Sequence, residues 1–382
     1  MTTDLAAWRR EFPILETTNY LISNSLGAMP RGARDSLARY ADTWATRGVR
    51  AWEEGWWELP VTVGDLLAPI IGAPPGSVTM HQNVTLAEAI VLSCFAPRGR
   101  RNKIVLEDEN FPSVQYFFSR QPGWRVEAVP KERLLDAIDE DTVLVPVSHV
   151  LFKSAYVQDA SAIVEKAHRV GAHVVLDVFQ SAGVLPLDVA ALGVDFAVGG
   201  CLKWLCGGPG NGYLYVRPDL RGQLQPALTG WMAHPDPFAF APLPMRYADT
   251  PFRFLNGTPH VPSLHAALEG LRIVREVGVE RIRAHSLRLT DLLLQRADEA
   301  GFPSLTPREH ARRGGTVAVD PPGAEAISRE LLRSDILIDY RPGAGIRIAP
   351  HFYTTEDECD EVICEIAALA AGRPRLRRTQ GR

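Results

Sequence analysis

An aspartate and a lysine near the middle of the chain have the types and spacing needed for covalent chemistry on an amino group. Asp177 directly follows the apolar run HVVL at 173–176, and Lys203 follows the next run, DFAVG at 195–199. In an open parallel sheet, ligands bind beyond the carboxyl ends of the strands, so these side chains are expected to meet there. Pyridoxal phosphate needs such a pair: a lysine that links to its aldehyde and a carboxylate that keeps its pyridine nitrogen protonated.

The surroundings of Lys203 favour a reactive amine. Leu202 and Trp204 flank it, and partial desolvation between them disfavours the charged form. Spacing alone leaves two ordinary interpretations open, because an aspartate after a strand also caps helices and most lysines are solvated. The glycine cluster GGPGNG at 207–212 is interpreted as a turn into the run GYLYV, since it does not open a helix after a strand as dinucleotide-binding loops do.

Short apolar runs alternate with an amphipathic one through the middle of the chain. The segment DASAIVEKAHRV at 159–170 predicts a helix that Asp159 caps and Gly171 ends. The predicted strands are 104–106, 126–129, 143–147, 173–176, 195–199 and 212–216. This order predicts an α/β fold with a mostly parallel central sheet and helices on both faces.

The pattern of predicted helices and strands indicates a large domain followed by a smaller lobe. Long amphipathic helices are predicted at 263–277 and 280–300, and the pattern changes after the GFP at 301–303. Short strands at 316–320, 336–340 and 345–350 and helices at 326–334 and 355–371 predict a small α+β lobe. The predicted parts are an N-terminal helical arm (1–50), a large cofactor-binding domain (51–300), a small C-terminal domain (301–372) and a basic tail (373–382).

Length and composition exclude several classes of protein. The chain has 382 residues, a net charge of −4, 46% hydrophobic residues and 23% charged residues, which excludes disorder as a description of the whole. No apolar run is long enough for a membrane span, the start lacks the apolar core of a signal peptide, and the acidic balance argues against nucleic acid as the main partner. The five scattered cysteines show neither zinc spacing nor a disulfide framework. We therefore expect a cytoplasmic protein that needs no metal.

Nine segments, in order along more than 300 residues, resemble a known family. They are NSLGAMP (24–30), NVT (83–85), NFPS (110–113), SHV (148–150), DVFQSAG (177–183), VDFAVGGCLKWLCGGPG (194–210), QPALTGWMAH (225–234), FLNGTPHVPSLHAALEGL (254–271) and GIRIAP (345–350). The family is kynureninase, a group of fold-type I pyridoxal phosphate enzymes close to the class V aminotransferases. No single segment is decisive, but their order is specific for the fold and the cofactor.

The resemblance implies a role for each residue of the cofactor site. Lys203 is expected to form the Schiff base, Asp177 to pair with the pyridinium, and Phe111 to stack on the ring. Val84 and Thr85, at the start of a helix predicted over 84–94, are expected to bind the phosphate with free backbone amides. Read without the family, Phe111 fits a core residue and Thr85 a helix cap.

Four more roles follow from the resemblance. Trp231 and Thr258 match residues that reach the phosphate from a neighbouring subunit, which implies a homodimer with shared active sites. Arg347, in GIRIAP, matches the arginine that holds the substrate's α-carboxylate, and its place in an apolar strand requires a partner for its charge. Trp57 is expected to line the side-chain pocket, although Trp52 and Trp56 compete for that role.

The chain departs from kynureninases at four places near the expected site. Leu202 stands where a tyrosine usually precedes the lysine, Val114 stands where a carboxylate usually ends FPSD, and HVLFKSA at 149–155 lacks an asparagine and a tyrosine hydroxyl. Gln180 replaces a histidine and resembles class V aminotransferases, in which glutamine can bond the cofactor's O3′. All four changes remove ionisable or hydroxyl groups and leave cofactor and carboxylate binding untouched.

Three functions are therefore compared. The first is a kynureninase-like hydrolase or lyase that cleaves the side chain of kynurenine or an analogue. The second is a class V aminotransferase or a desulfurase-like enzyme, which Gln180 favours. The third is a binding or regulatory protein without catalysis on the same scaffold, which the lack of a basic helix-turn-helix pattern in 1–50 disfavours.

Overall fold

The computed structural model describes residues 5–373, which form twelve strands and ten α-helices besides short 3₁₀ turns. The strands are β1 (Asn19–Tyr20), β2 (Val78–His81), β3 (Lys103–Glu107), β4 (Arg125–Val129), β5 (Thr142–Ser148), β6 (His173–Asp177), β7 (Phe196–Gly200), β8 (Gly212–Val216), β9 (Val317–Val319), β10 (Ile336–Leu337), β11 (Asp339–Arg341) and β12 (Gly345–Ile348). The helices are α1 (Arg31–Arg47), α2 (Leu59–Leu67), α3 (Val84–Leu92), α4 (Pro112–Ser119), α5 (Leu134–Ala137), α6 (Ala160–Arg169), α7 (Val261–Val277), α8 (Val279–Glu299), α9 (Ala324–Leu332) and α10 (Glu356–Ala370).

The central sheet has seven strands in the order β2-β8-β7-β6-β5-β3-β4. The five strands from β7 to β4 are parallel, while β8 and β2 continue the sheet antiparallel at one edge. Successive residues of a strand enter opposite cores: Val174 and Leu176 pack on one face of β6, and Val175 packs on the other. Both faces of the sheet are therefore covered, which confirms the predicted α/β fold with a mostly parallel sheet.

Sequence patterning did not predict strand β2. Its residues VTMH alternate between apolar and polar, although all four are buried. The polar pair satisfies itself, because Thr79 Oγ1 and His81 Nε2 lie 2.9 Å apart in a hydrogen bond. When two polar side chains of a buried strand bond each other in this way, its sequence resembles that of a half-exposed strand.

Side-chain caps fix where the helices begin. Asp159 Oδ1 accepts a hydrogen bond from the Ala162 amide at 3.0 Å and starts α6, as its position predicts. Thr355 and Glu358 form a reciprocal capping box at the start of α10. Because these caps are local, the sequence locates such helix starts to within a few residues.

The small lobe has its own core and its own three-stranded antiparallel sheet in the order β11-β12-β9. The segment 336–340, predicted as one strand, is two strands in different sheets, with Ile338 buried at the change of direction. β10 pairs in parallel with β1 of the N-terminal arm, and β11 pairs with β12. Helix α8 contributes Ile282 to the large core and Leu293 to the small one, so the predicted division at residue 300 stays a prediction.

No helix within residues 5–373 is long and apolar enough to cross a bilayer. The same residues hold no group of three or more His, Cys, Asp or Glu side chains placed to bind a metal ion. The predicted basic tail lies outside the described residues from position 374 onward.

Candidate active site

A cavity of about 370 Å³ lies beyond the carboxyl ends of β5, β6 and β7, where the parallel strand order predicts a ligand site. We call it the Lys203 cavity. Seven of the predicted site residues line it, namely Val84, Thr85, Phe111, Asp177, Gln180, Lys203 and Arg347. All three parts of the chain contribute walls, since Asn24 and Ser25 come from the arm and Arg347 from the small lobe.

Lys203 is a buried amine with a lowered pKa. Its Nζ lies 4.0 Å from the centre of the Phe179 ring and 5.7 Å from that of Phe111. Burial lowers the pKa of Lys203 to about 8, although the charge of Asp177 opposes the change. A sizeable fraction of the amine is therefore neutral near physiological pH, as a nucleophile requires.

Asp177 ends strand β6 and is enclosed by protein. Its Oδ1 accepts a hydrogen bond from the Phe179 amide at 2.8 Å, so Oδ2 remains as an acceptor for a donor in the cavity. Burial raises the pKa of Asp177, while the Phe179 amide and the charge of Lys203 lower it. The net pKa of Asp177 is raised, and these two partners limit the rise because both stabilise the ionised carboxylate.

Two more buried carboxyl groups lie close enough to Asp177 to feel its charge. Glu107 Oε1 accepts from the Ser148 amide at 2.9 Å, and burial raises the pKa of Glu107 to about 8. Burial, with the charge of Asp177 second, also raises the pKa of Glu88 well above its ordinary value. Glu107 is therefore mostly a neutral acid at pH 7, and the raised pKa of Glu88 favours its neutral form as well.

The amide of Gln180 is held in one orientation. Its Nε2 donates to the Asn24 carbonyl at 3.0 Å, and its Oε1 accepts from the Trp204 indole at 3.1 Å. One N–H of the amide remains for an acceptor in the cavity. Neither Asn24 nor Trp204 was assigned a role from sequence, although both lie in the family-like segments.

The N-terminus of α3 opens into the cavity at Val84 and Thr85. Asn83 caps this helix by accepting from the Leu86 amide at 3.0 Å. A Cβ on Gly212, the first residue of β8, would lie 2.7 Å from the Asn83 carbonyl carbon, so only glycine lets the helix start sit this close to the sheet. The first amides of the helix have no intrahelical partners and suit a phosphate.

Two phenylalanine rings flank the amine of Lys203. Phe111, half-exposed at the start of α4, packs edge-on against Phe152 with ring centres 5.3 Å apart. Phe179 lies two residues after Asp177, and a Cβ on Gly200 would lie 2.6 Å from its ring. A stacking role was predicted for Phe111 but not for Phe179. The feature of the sequence that pointed to Phe179 was its position two residues after Asp177.

Arg347 lies buried on β12, directly opposite Asp339 of β11. Its Nε donates to Asp339 Oδ1 at 2.8 Å, its Nη2 donates to Oδ2, and its Nη1 donates to the Phe152 carbonyl at 2.7 Å. A guanidinium has five N–H donors, so one remains on each terminal nitrogen. The partner that the sequence required for this charge is Asp339, and two donors are left for a carboxylate.

The structure does not bring three of the predicted site residues to the cavity of their own chain. Trp57 and Trp231 pack against each other, with ring centres 5.0 Å apart, and neither lines the Lys203 cavity. Thr258 is exposed on the loop before α7. The roles predicted for Trp57, Trp231 and Thr258 therefore stay predictions.

The wall of the cavity is apolar where kynureninases carry polar groups. Val114, Phe152 and Leu202 line it at such positions, and Val150 adds a further apolar side chain. The hydroxyls present belong to Ser25, Thr85, Ser113 and Ser148, and that of Ser148 donates to Asn110 Oδ1 at 3.1 Å. These residues offer hydrogen bonds but no group that titrates near neutral pH.

Three buried histidines in segments near the site, His81, His149 and His351, do not line the cavity. Burial lowers the pKa of His81 and His149 to about 4 and that of His351 to about 3. His351 Nε2 is hydrogen-bonded to the Trp204 carbonyl at 2.8 Å. They are neutral core residues, so none of them supplies an acid–base group to the cavity.

The arrangement fits pyridoxal phosphate on observations of the chain itself. The cavity holds a neutralisable lysine, a carboxyl group with one free acceptor oxygen, two aromatic rings and a helix N-terminus whose first amides have no intrahelical partners. These are the aldehyde, pyridinium, ring and phosphate partners that the cofactor needs.

Comparison with known proteins agrees with this fit. The family model "Aminotransferase class-V" matches residues 68–343. A kynureninase from Pseudomonas fluorescens is 34% identical over 93% of this chain and 89% of its own length. An uncharacterized aminotransferase from Bacillus subtilis is 32% identical over 94% of this chain and 97% of its own.

Solved structures share the fold. A variant of C-DES with glycine covalently linked to its PLP cofactor matches with a TM-score of 0.84 and 23% identity, over 94% of this chain and 98% of that chain. The cysteine desulfurase from Thermococcus onnurineus matches with a TM-score of 0.81 and 20% identity, over 96% of this chain and 98% of that chain. With the cavity described above, these comparisons show that the chain belongs to the class V aminotransferase family, is similar to kynureninases within it, and uses pyridoxal 5′-phosphate as its cofactor.

Proposed function

We propose that this enzyme cleaves the side chain of an α-amino acid by hydrolysing a Cβ–Cγ bond, with kynurenine or a ring-substituted analogue as the substrate. The observation that carries the proposal is the similarity to a kynureninase over 93% of the chain. It is supported by the cavity, which places Lys203, Asp177 and Arg347 around one space.

Each residue has a defined task in this proposal. Bound pyridoxal phosphate supplies an electron sink for the bonds at the substrate's α-carbon. Lys203 Nζ would hold the cofactor at its aldehyde carbon, and its amine would take and return a proton at the substrate's α-carbon. Asp177 Oδ2 would accept a hydrogen bond from the pyridine nitrogen and so favour the cationic ring, and the two free N–H groups of Arg347 would orient the α-carboxylate.

The remaining groups position the cofactor and exclude water. Phe111 and Phe179 flank the ring, and the amides at Val84 and Thr85, with the Thr85 hydroxyl, bind the phosphate. Gln180, fixed by Asn24 and Trp204, offers its remaining N–H to the cofactor's O3′.

A second function is favoured by the apolar wall of the cavity. Hydrolysis at a γ-carbonyl needs a positioned acid–base group, the loss of which typically costs about 10²–10⁴ in rate. Val114, Leu202 and Phe152 supply none. A class V aminotransferase needs only the lysine for its proton transfers, so transamination is the alternative.

Desulfurase chemistry is disfavoured by the cysteines. Cys201, Cys206 and Cys359 are buried, and burial raises the pKa of each thiol, which makes them poor nucleophiles. Cys94 and Cys364 do not line the Lys203 cavity. The desulfurases among the solved structures therefore inform the fold and not the reaction.

The proposed enzyme is a homodimer with shared active sites. Trp231, Phe238 and Phe240 form an aromatic cluster whose ring centres lie 5.6–6.4 Å apart, and all three rings are exposed. Exposed aromatic groups of this size mark interaction surfaces. Covering this cluster with a second copy would carry Trp231 and Thr258 toward the partner's phosphate site.

The test is to incubate purified holoenzyme with kynurenine and 3-hydroxykynurenine and to measure anthranilate (or its hydroxy form) and alanine. Release of both products supports hydrolysis. Conversion of the cofactor to its amine form, with release of a keto acid, supports transamination instead. Lys203→Ala should abolish either activity, while Lys166→Ala on α6 should leave it intact; release of neither product type from these or other amino acids would contradict both functions.

A further inference from the structure

Asp339 lies between two guanidinium groups at the wall of the Lys203 cavity. Both of its oxygens accept from Arg347, and Oδ2 also lies 3.0 Å from Arg341 Nη2. Both arginines line the cavity. Arg347 is buried, whereas 44% of the Arg341 side chain is exposed, so the cluster runs from the interior to the mouth of the cavity.

We propose that Asp339 is the positioning residue of the carboxylate-binding site and that Arg341 balances its charge, so that the site accepts one carboxylate. This rests on the role proposed above for Arg347. Neither Asp339 nor Arg341 was expected from the sequence to have a function.

The hydrogen-bond geometry carries the first part. Asp339 occupies the edge of the Arg347 guanidinium formed by Nε and Nη2, and the Phe152 carbonyl occupies one donor of Nη1. The plane of the guanidinium is thereby fixed from two sides. The donors that remain, one on each terminal nitrogen, suit a carboxylate that binds with both oxygens.

The charge count carries the second part. Two guanidiniums and one carboxylate leave one positive charge at this wall, which matches one α-carboxylate of a substrate. Lys203 is the other cation among the described residues that line the cavity, and the cofactor's aldehyde would occupy it. A second acidic group of a substrate would therefore meet Val114, Phe152 and Leu202 instead. The site therefore selects amino acids whose side chains are uncharged.

The hairpin between β11 and β12 holds the cluster in place. Asp339 and Arg347 are direct cross-strand neighbours. Gly345 has φ +79°, and a Cβ there would lie 2.4 Å from the Val319 carbonyl oxygen of β9. The glycine lets β12 lie close to β9, which fixes the register that pairs the two charged side chains.

The experiment compares ligands that differ only in the carboxylate. The dissociation constants of kynurenine and its decarboxylated amine kynuramine, and of phenylalanine and phenethylamine, are measured from the change in the holoenzyme's visible absorbance. Asp339→Asn should raise the dissociation constants of the amino acids by roughly 10–100-fold and change those of the amines by no more than about twofold. Asp339→Glu should partly restore the affinity for the amino acids. Glu325→Gln, which breaks an exposed ion pair on α9 in the same lobe, is the control and should change neither.

Arg341→Gln provides a second variant that retains the buried Arg347–Asp339 pair. It should weaken the binding of amino acids by about two- to fivefold relative to the parent enzyme. Added salt should reduce this difference in affinity, because Arg341 is partly exposed. Equal weakening of amines and amino acids in Asp339→Asn would reduce Asp339 to a structural residue. Three other results would each overturn the proposal, whatever reaction the enzyme catalyses. They are tighter amino-acid binding in Asp339→Asn, no preference of the parent enzyme for amino acids over amines, and equal binding of glutamate and phenylalanine.

Discussion

At the scale of single residues, the lysine that makes the cavity reactive also destabilises the cofactor-free protein. Burial lowers the pKa of Lys203 from its ordinary 10.5 to about 8. Between these two values the unfolded chain binds a proton that the folded chain does not, so this group's contribution to stability rises with pH across the window. Below pH 8 the folded protein carries the full unfavourable charge.

We therefore predict that Lys203→Met stabilises the cofactor-free protein at pH 7 by about 3 kcal/mol at most, and that the gain fades between pH 8 and 10.5. Urea unfolding of both proteins at several pH values measures it. The difference between the two curves removes the contributions of buried tyrosines that titrate in the same range. A gain that does not change with pH would refute the assigned cause.

Glu107 contributes a pH dependence to the free energy of unfolding that is opposite in sign to that of Lys203. Burial raises the pKa of Glu107 from 4.5 to about 8, so the folded state retains a proton that the unfolded chain loses, and stability falls as pH rises through that window. Glu107→Gln can keep the hydrogen bond from the Ser148 amide without this loss. Relative to the parent, we expect it to be near neutral at pH 4.5 and more stable by ~2–5 kcal/mol at pH 8, as measured by urea unfolding.

At the scale of elements, strand ends and helix starts place the cofactor groups, and this is what the sequence predicted well. Asp177 and Lys203 each follow a buried apolar run, and parallel strands bring such residues to one edge. The missed residues act through contacts between distant segments: Trp204 orients Gln180, and Asp339 lies opposite Arg347 in the register of two short strands. Periodicity within one segment contains no information about such contacts.

The N-cap of α3 provides a test at this scale. Asn83→Ala removes the side-chain acceptor at a helix start that faces the cavity, and should lower the free energy of unfolding by about 1 kcal/mol and also weaken cofactor binding. Asp159→Ala removes the equivalent cap of α6, which does not line the cavity, and should cost similar stability alone. Titration of the cofactor-free proteins with pyridoxal phosphate separates them. Equal cofactor affinity in both variants would argue against a phosphate site at α3.

At the scale of the whole molecule, the proposed homodimer would give a role to three predicted site residues. Trp57, Trp231 and Thr258 lie outside the cavity of their own chain. Local sequence gave no means of separating residues that serve their own cavity from those that would serve another copy. Fold class, by contrast, could be predicted because it depends on the order of apolar runs along one chain.

Mixing inactive variants tests the shared site. If Trp231 serves the partner's cavity, Lys203→Ala and Trp231→Ala are each impaired, and their 1:1 hybrid contains one cavity that carries neither change. Unfolding and refolding the mixture together should restore up to about one quarter of the parental activity. Lys203→Ala mixed with Lys203→Arg is the matched control and should restore none. An inactive first mixture would place Trp231 in its own chain's chemistry or outside the site.

The pairing of the N-terminal arm with the small lobe affects how the protein is made. β1 aligns Asn19 with Ile336, and Ser23 Oγ is hydrogen-bonded to the Tyr353 hydroxyl, 330 positions further along the chain. On the ribosome, the arm emerges first and finds these partners only when synthesis is nearly complete. Asn24 and Ser25, which follow β1 and line the cavity, are therefore fixed in place late. A nascent chain truncated before residue 336 should bind pyridoxal phosphate poorly, even when the segment that carries Lys203 has already folded.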